Sequence, residues 1–409
     1  MIANFKNSTA VLQKLLTFKS VQTEALPNMP FGEENAKCLN FMLDVCKNLG
    51  FLTKNVDNYC GYAEIGTGEL FGVLGHLDVV PEGENWNYPA YGGEIHDGKI
   101  YGRGAEDNKG PMVAALFACA KLLQDGKTPN KRIRFIFGSN EESGWKCMER
   151  YEKTEEMPAL GFSPDADFPV VNCEKGVIYH TITCPLPKGI KEITGGERAN
   201  IVPPYAKAIL ESGEIIETHG KAAHGSKPQI GENAIVKLLE KVAIGDLYKK
   251  LSCYNGSGLN LNISDKESGN LTMNLGTIIT ENGYLKLQID IRYPITFEKD
   301  FITETIKKAL PFCTVEQGAY HRPIYVSPED DLIKSLLWAY EKVTGTKAKP
   351  ITIGGATYAR CLNKGVSFGP VFPNEKSTIH QENEFMSVAN FEKLQNIYGL
   401  ALEKLCFGN

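Results

Sequence analysis

Several short runs of this chain carry side chains able to hold metal ions. Gly75-His76-Leu77-Asp78-Val79-Val80-Pro81 places His76 and Asp78 two residues apart, so in extended backbone both point to one side. A carboxylate behind an imidazole fixes its tautomer and raises its basicity toward a metal. Gly102-Arg103-Gly104-Ala105-Glu106-Asp107-Asn108-Lys109-Gly110-Pro111 adds acidic positions. Glu141 and Glu142 are adjacent, a costly arrangement unless something positive lies between them. Asp165 follows in Gly161-Phe162-Ser163-Pro164-Asp165, and His380 lies in Ser377-Thr378-Ile379-His380-Gln381-Glu382-Asn383-Glu384. Jointly these give two histidines, three carboxylates and one spare Glu. Imidazoles and carboxylates suit zinc, and oxygen-rich sites also accept manganese or cobalt. Two divalent ions about 3.5–4 Å apart would depress the pKa of a shared water and polarise a carbonyl, with a Glu outside the metal sphere as general base. That is amide hydrolysis without a covalent intermediate. The residues alone leave open which of Glu141 and Glu142 is the ligand and which the base.

These side chains need elements to position them. Leu70-Phe71-Gly72-Val73-Leu74 has the apolar character of a buried parallel strand, and Arg132-Ile133-Arg134-Phe135-Ile136-Phe137 alternates into another. In open α/β sheets, ligands collect beyond the carboxyl ends of such strands. Ser8 to Phe18 and Glu34 to Leu49 have amphipathic helical spacing, while Met112 to Leu123 is more apolar and should pack on the sheet. Alternating strands and helices up to about Val177 predict an α/β fold with a doubly wound, mostly parallel sheet. The pattern then changes. Strand-like Thr272 to Thr280 and Leu285 to Ile291 surround helix-like Asn233 to Ala243 and Lys299 to Leu310, predicting an α+β insert with antiparallel strands. After about His321 the chain returns to the first domain with Asp331 to Thr344 and a terminal helix over Ala389 to Leu405.

Size and composition agree. A chain of 409 residues exceeds what one core supports, so two domains are expected. With 42% hydrophobic and 23% charged residues it has ordinary globular composition, and a formal charge of −5 argues against nucleic acid. No apolar run approaches a membrane span, and Met1 to Asn7 lacks the build of a signal peptide, so a cytoplasmic protein is expected. Eleven cysteines, odd in number and without a CxxC pair, suggest buried thiols rather than a disulfide framework.

The order of the motifs resembles the co-catalytic metallopeptidase family that contains dipeptidase V (PepV), carboxypeptidase G, aminoacylase and succinyl-diaminopimelate desuccinylase. The resemblance covers nearly the whole chain. It implies His76 and Asp165 on one metal, Glu142 and His380 on a second, Asp107 bridging the two, Glu141 as general base and Asp78 as the partner that orients His76. It also implies a zinc exopeptidase-like catalytic domain over residues 1–178 and 323–409, interrupted by a lid over 179–322, and a cis peptide bond after Asp107. One departure is Asn108, where many members carry a second Asp.

Further residues enter through the same resemblance. His224, in Thr218-His219-Gly220-Lys221-Ala222-Ala223-His224-Gly225-Ser226-Lys227-Pro228, matches a lid histidine and implies a donor for the developing oxyanion. Arg292, in Asp290-Ile291-Arg292-Tyr293-Pro294, resembles the arginine that grips a substrate carboxylate, a structural ion pair with Asp290 being the alternative. Asn200 resembles an asparagine that helps to hold the substrate terminus. Gly354 and Gly355 resemble a loop whose backbone approaches the substrate closely, although a plain turn would use the same glycines.

Pro164-Asp165-Ala166, the loop from Gly354 to Arg360, and Asp rather than Glu at 165 are most similar to the dipeptidase V group. This implies hydrolysis of unblocked dipeptides with a metal-bridging water as nucleophile, a small dipeptide as the only partner, and a monomer in preference to a homodimer. The alternative is an N-acyl-amino-acid amidohydrolase, such as a deacetylase or desuccinylase. A metal-dependent peptide-binding module without catalysis is opposed by the intact Glu141 and the complete ligand set.

Overall fold

The computed structural model describes residues 7–242 and 244–408, so the reading of Met1 to Lys6 and the expected helix end at Ala243 lie outside the described residues. The chain divides into two compact units. The first runs to Asn172 and takes in residues 326–351 and from Thr357 onward; the second comprises 173–325 and 352–356.

In the first unit the strands stand in the order Leu52–Val56, Cys60–Ile65, Arg132–Gly138, Leu70–His76, Leu160–Ser163, Lys364–Ser367. The last four are mutually parallel, as expected. The first two form an antiparallel hairpin at the edge, turned at Asp57 and Asn58, both at positive φ (53° and 56°). Asp and Asn tolerate that region better than other side-chain-bearing residues. Successive strand residues face opposite ways. Phe71, Val73, Ile133, Phe135 and Phe137 therefore enter one core with the helices Ser8–Leu16, Glu33–Asn48, Lys109–Gln124, Asp331–Thr344 and Val388–Cys406, while Leu74 and Ile136 enter another with Lys146–Thr154. This double covering is what makes the central strands apolar throughout.

The helix Lys109–Gln124 begins earlier than its apolar spacing suggests. Gly110 and Pro111 occupy its first turn, where a missing N–H costs nothing. Buried Lys109 donates to Leu15 O (3.1 Å) and Phe18 O (3.0 Å), at the end of the helix Ser8–Leu16. Asp331–Thr344 has the expected bounds. Asp330 accepts from Leu332 N at its start, and Gly345 ends it at φ 71°.

The second unit is an antiparallel sheet ordered Ile215–His219, Tyr205–Leu210, Ile190–Gly195, Thr272–Glu281, Tyr284–Tyr293, Gly176–Pro185, Thr314–His321. Ile178, Ile182, Ile193, Leu275, Leu287 and Ile289 pack with residues of Ala234–Lys241 and Lys299–Ala309 in one core. The α+β character follows expectation.

The cysteines need a correction. Cys184 and Cys313 are disulfide-bonded, with Cα atoms 4.6 Å apart. They sit next to the facing pair Thr183 and Thr314 on antiparallel strands, a proximity invisible across 129 residues of sequence. The remaining nine are not disulfide-bonded, and all but Cys253 and Cys361 are buried. Among the described residues no helix is long and apolar enough to cross a membrane.

Candidate metal centre

The parallel strands of the first unit deliver their carboxyl ends to one edge of the sheet. Leu70–His76 ends on His76 itself, Arg132–Gly138 runs through Ser139-Asn140 into Glu141-Glu142, and Leu160–Ser163 runs through Pro164 into Asp165. Asp107 closes the loop before the helix Lys109–Gln124, and His380 comes from the loop before Phe385–Ser387, at φ 61°.

Asp107 stands at the centre. Its Oδ1 is 2.9 Å from His76 Nε2, which lies 3.7 Å from Asp165 Oδ1. Its Oδ2 is 3.0 Å from His380 Nε2, which lies 2.8 Å from Glu142 Oε1. The two oxygens of one carboxylate thus serve two separate histidine-carboxylate pairs. Ligand atoms of His76, Asp107 and Glu142 all fall within 4.8 Å of one another.

The backbone around these atoms is tightly specified. His76 Nδ1 lies 2.9 Å from the carbonyl oxygen of Asp78, which can only accept, so Nδ1 carries the proton and Nε2 faces the carboxylates. The expected orienting role of the Asp78 carboxylate is therefore taken by its own backbone; the carboxylate stands 3.6 Å off and accepts the amides of Glu141 (3.0 Å) and Glu142 (3.1 Å) instead. Asn108 accepts from His76 N at 3.3 Å and donates to Pro164 O at 2.5 Å, tying three ligand-bearing segments together. Gly75 leaves room for it, since a Cβ there would lie 2.2 Å from Asn108 Oδ1. The Asp107–Asn108 peptide bond is cis, as the resemblance implies.

Charge is out of balance here. Asp78, Asp107, Glu141, Glu142 and Asp165 surround two imidazoles. Burial alone would lower the pKa of His76, yet Asp165 and Asp107 raise it well above the ordinary value. Burial also opposes His380, which Asp107 and Glu142 push up to about 11. Asp107 is held far below the carboxylate range: its burial is outweighed by hydrogen bonds and charge from His380 and His76. Burial lifts Asp165 to about 7, with Asp107 repelling it despite His76. Burial likewise lifts Glu141 well above the carboxylate range; His76 opposes this, while Glu142, Asp165 and Asp107 add to it. Five carboxylates around two imidazoles leave a surplus of negative charge that a bound cation would balance, and the donor set of imidazole nitrogens and carboxylate oxygens fits zinc or manganese.

The second unit brings together the candidates from its own segments. Exposed His224 has Nδ1 2.7 Å from Ser226 Oγ and accepts from Ser226 N at 3.2 Å, which leaves its proton on Nε2. Gly225 donates to Asn200 O at 2.7 Å. The carbonyl of Gly354 accepts from Arg292 Nη1 at 2.8 Å, and a Cβ on Gly354 would come within 2.9 Å of Ser226 Cβ, a close approach only glycine permits. Gly355 is less constrained, with Ile353 Cδ1 at 3.4 Å. Arg292 and Asp290 are both buried and form an ion pair. Sequence reasoning missed Asn108 and Glu384 as organisers of the first unit. Glu384 lies in the same run as His380, but an acidic loop residue gives no sign of being buried.

A sheet with parallel centre, histidine and carboxylates at its strand ends and an antiparallel α+β insert defines an α/β metallohydrolase fold. Residues 72–404 match the model of peptidase family M20/M25/M40, and the chain belongs to that family. It is 36% identical to "Putative dipeptidase YtjP" of Bacillus subtilis (strain 168), over 96% of each chain. Among solved structures, the M20 family metallo-carboxypeptidase Sso-CP2 from Sulfolobus solfataricus is similar with a TM-score of 0.65 at 17% identity, over 97% of this chain and 98% of the other. Aminoacylhistidine dipeptidase from Vibrio alginolyticus gives 0.64 at 14% identity, over 97% and 96%. At such identities these structures establish the fold alone.

Proposed function

We propose that the protein is a dinuclear metallo-dipeptidase that hydrolyses the peptide bond of unblocked dipeptides. The observation that carries the dinuclear reading is the division of Asp107, one oxygen toward His76 and Asp165, the other toward His380 and Glu142. Each half offers one imidazole and one carboxylate besides the shared one. Two divalent ions bound there, zinc or else manganese or cobalt, would supply Lewis-acid polarisation of the scissile carbonyl and a water of lowered pKa.

The chain's own residues have the remaining tasks. Glu141 takes the proton of the attacking water and passes it to the leaving amine. Its backbone amide is fixed by Asp78, which limits where the carboxylate can swing. His224, in the second unit, donates from Nε2 to the carbonyl oxygen as it gains charge. Asn200, Arg292 and the backbone of Gly354 and Gly355 hold the substrate terminus. The dipeptide preference is supported by the designation of the Bacillus subtilis relative, which aligns along almost its full length.

Turnover of a panel of dipeptides, tripeptides, N-acetyl and N-succinyl amino acids, with zinc and then manganese, tests this. Free dipeptides are expected to be cleaved best. Good turnover of the acyl amino acids with none of the dipeptides replaces the proposal with the amidohydrolase alternative.

A further inference from the structure

Two carboxylates that are not part of the ligand set join the segment before Asp107 to the segment around His380. Glu106 Oε2 accepts from Thr378 N at 2.8 Å, Thr378 Oγ1 at 3.1 Å and Ser377 Oγ at 3.2 Å. In the opposite direction, Glu384 Oε1 accepts from the amides of Gly104 (3.1 Å), Glu106 (2.9 Å) and Asp107 (3.2 Å). Its Oε2 receives Arg103 Nη1 at 2.7 Å, and that same nitrogen donates to Gln381 O at 3.1 Å. The backbone adds Gly102 N to Glu384 O at 3.0 Å. Each segment thus sends a carboxylate into the other's backbone, one residue before Asp107 and four after His380.

We propose that Glu106 and Glu384 form a reciprocal clamp whose role is to position Asp107 and His380 for metal binding. The inference rests on the metal-centre reading above. Its physical basis is that neither ligand lies in regular structure. His380 sits at φ 61° in a loop, and Asp107 ends another. The free energy of fixing these loops is met once, on folding, by charge-assisted hydrogen bonds to buried amides, so it need not be met again at each metal-binding event. A loop left unclamped would have to be ordered by the ion itself. Outer contacts of this kind change metal affinity by roughly 10–100-fold when removed.

Glu106 is half-buried and suits the test better than Glu384, which is fully buried and engages a guanidinium. Chelator-stripped wild type, Glu106→Ala, Glu106→Gln and Thr378→Val would be titrated calorimetrically with zinc chloride and then manganese chloride, and the metal-free proteins melted in parallel. Glu106→Ala is expected to bind roughly 10–100-fold more weakly, while the metal-free protein still melts cooperatively and loses less stability than affinity. Glu106→Gln keeps an oxygen acceptor for Thr378 N and should recover most of the affinity, while Thr378→Val, which keeps the N–H and loses one hydroxyl, should fall between. Wild-type affinity in Glu106→Ala overturns the clamp, and so does a loss matched by an equal fall in metal-free stability. Failure of the wild type to bind either metal is a different result: it overturns the metal centre first and the clamp with it.

Discussion

Arg292 grips Asp290 with two parallel hydrogen bonds, Nε to Oδ1 at 2.8 Å and Nη2 to Oδ2 at 2.7 Å, with both side chains buried. Nη1 also reaches Gly354 O at 2.8 Å, and Nη2 reaches Tyr179 Oη at 3.4 Å. Four of the five guanidinium N–H groups are therefore engaged. A substrate carboxylate would receive one charge-assisted hydrogen bond from this arginine rather than a fork, a contribution of about 1.5–3 kcal/mol. Arg292→Lys should accordingly lower kcat/KM for dipeptides at least about tenfold more than for the matching dipeptide amides. Equal losses on acid and amide would confine Arg292 to its pairing with Asp290.

Glu141→Gln should abolish most turnover while both metals stay bound. A positioned general base contributes ~10²–10⁴ to the rate, and a Gln of the same shape cannot accept the proton. Elemental analysis after gel filtration supplies the check. Loss of an ion in this variant would make Glu141 a ligand and exchange the roles of the two glutamates.

Asn108 uses both ends of its amide, and an Asp in its place would have no hydrogen to offer Pro164 O. Asn108→Asp should destabilise the metal-free protein by about 1–3 kcal/mol at neutral pH, the cost of leaving a buried acceptor unpaired beside a carboxylate. Urea unfolding of the variant against wild type measures this. An unchanged midpoint would show that the contact with Pro164 adds nothing to the fold.

His180 predicts a pH dependence. Its ring is buried in the second unit with Nε2 2.9 Å from Thr303 Oγ1; burial, with some repulsion from Lys307, pulls its pKa down to about 4. The ordinary value is about 6.5, so between those pH values the unfolded chain takes up a proton that the folded chain refuses. Stability from this residue is complete above about pH 6.5 and declines as pH falls toward 4, by about 3 kcal/mol in all. His180→Gln should flatten this part of the stability profile. A variant that loses stability with acid as steeply as wild type would place the effect elsewhere.

The central parallel strands and the helices over them were legible because burial on both faces leaves continuous apolar runs, as in Leu70–His76. The five candidate side chains were picked out by residue type and motif order, and the structure brings them to one edge of the sheet; their roles came from the resemblance. The second unit was less legible. Gly176–Pro185 turns Ile178, His180, Ile182 and Cys184 inward and Tyr179, Thr181 and Thr183 outward, but a buried histidine and two threonines disguise the alternation. Thr314–His321 lies at the sheet edge and is largely exposed, so it has little apolar pattern to detect. The hairpin Leu52–Ile65 falls inside the stretch expected to give a mostly parallel sheet and was not singled out, and period alone does not tell strand direction. The contacts of Glu106, Asn108 and Glu384 were hidden for a further reason. A carboxylate or amide that caps a distant backbone carries no spacing signature.

The insert also fixes a timetable. Glu174 faces Ile324 and Cys173 faces Tyr325, so the strands by which the chain enters and leaves the second unit pair with each other. Lys364–Ser367, by contrast, fills the sheet of the first unit beside Leu160–Ser163, residues made some two hundred positions earlier. On the ribosome, nearly all of the second unit emerges before the first can close. Until then Leu160–Ser163 presents an unpaired, apolar edge, the kind of surface that recruits other chains. Slow passage through the codons after residue 326, up to those of the terminal helix Val388–Cys406 that completes the first core, would prolong that exposure and should lower the yield of soluble protein.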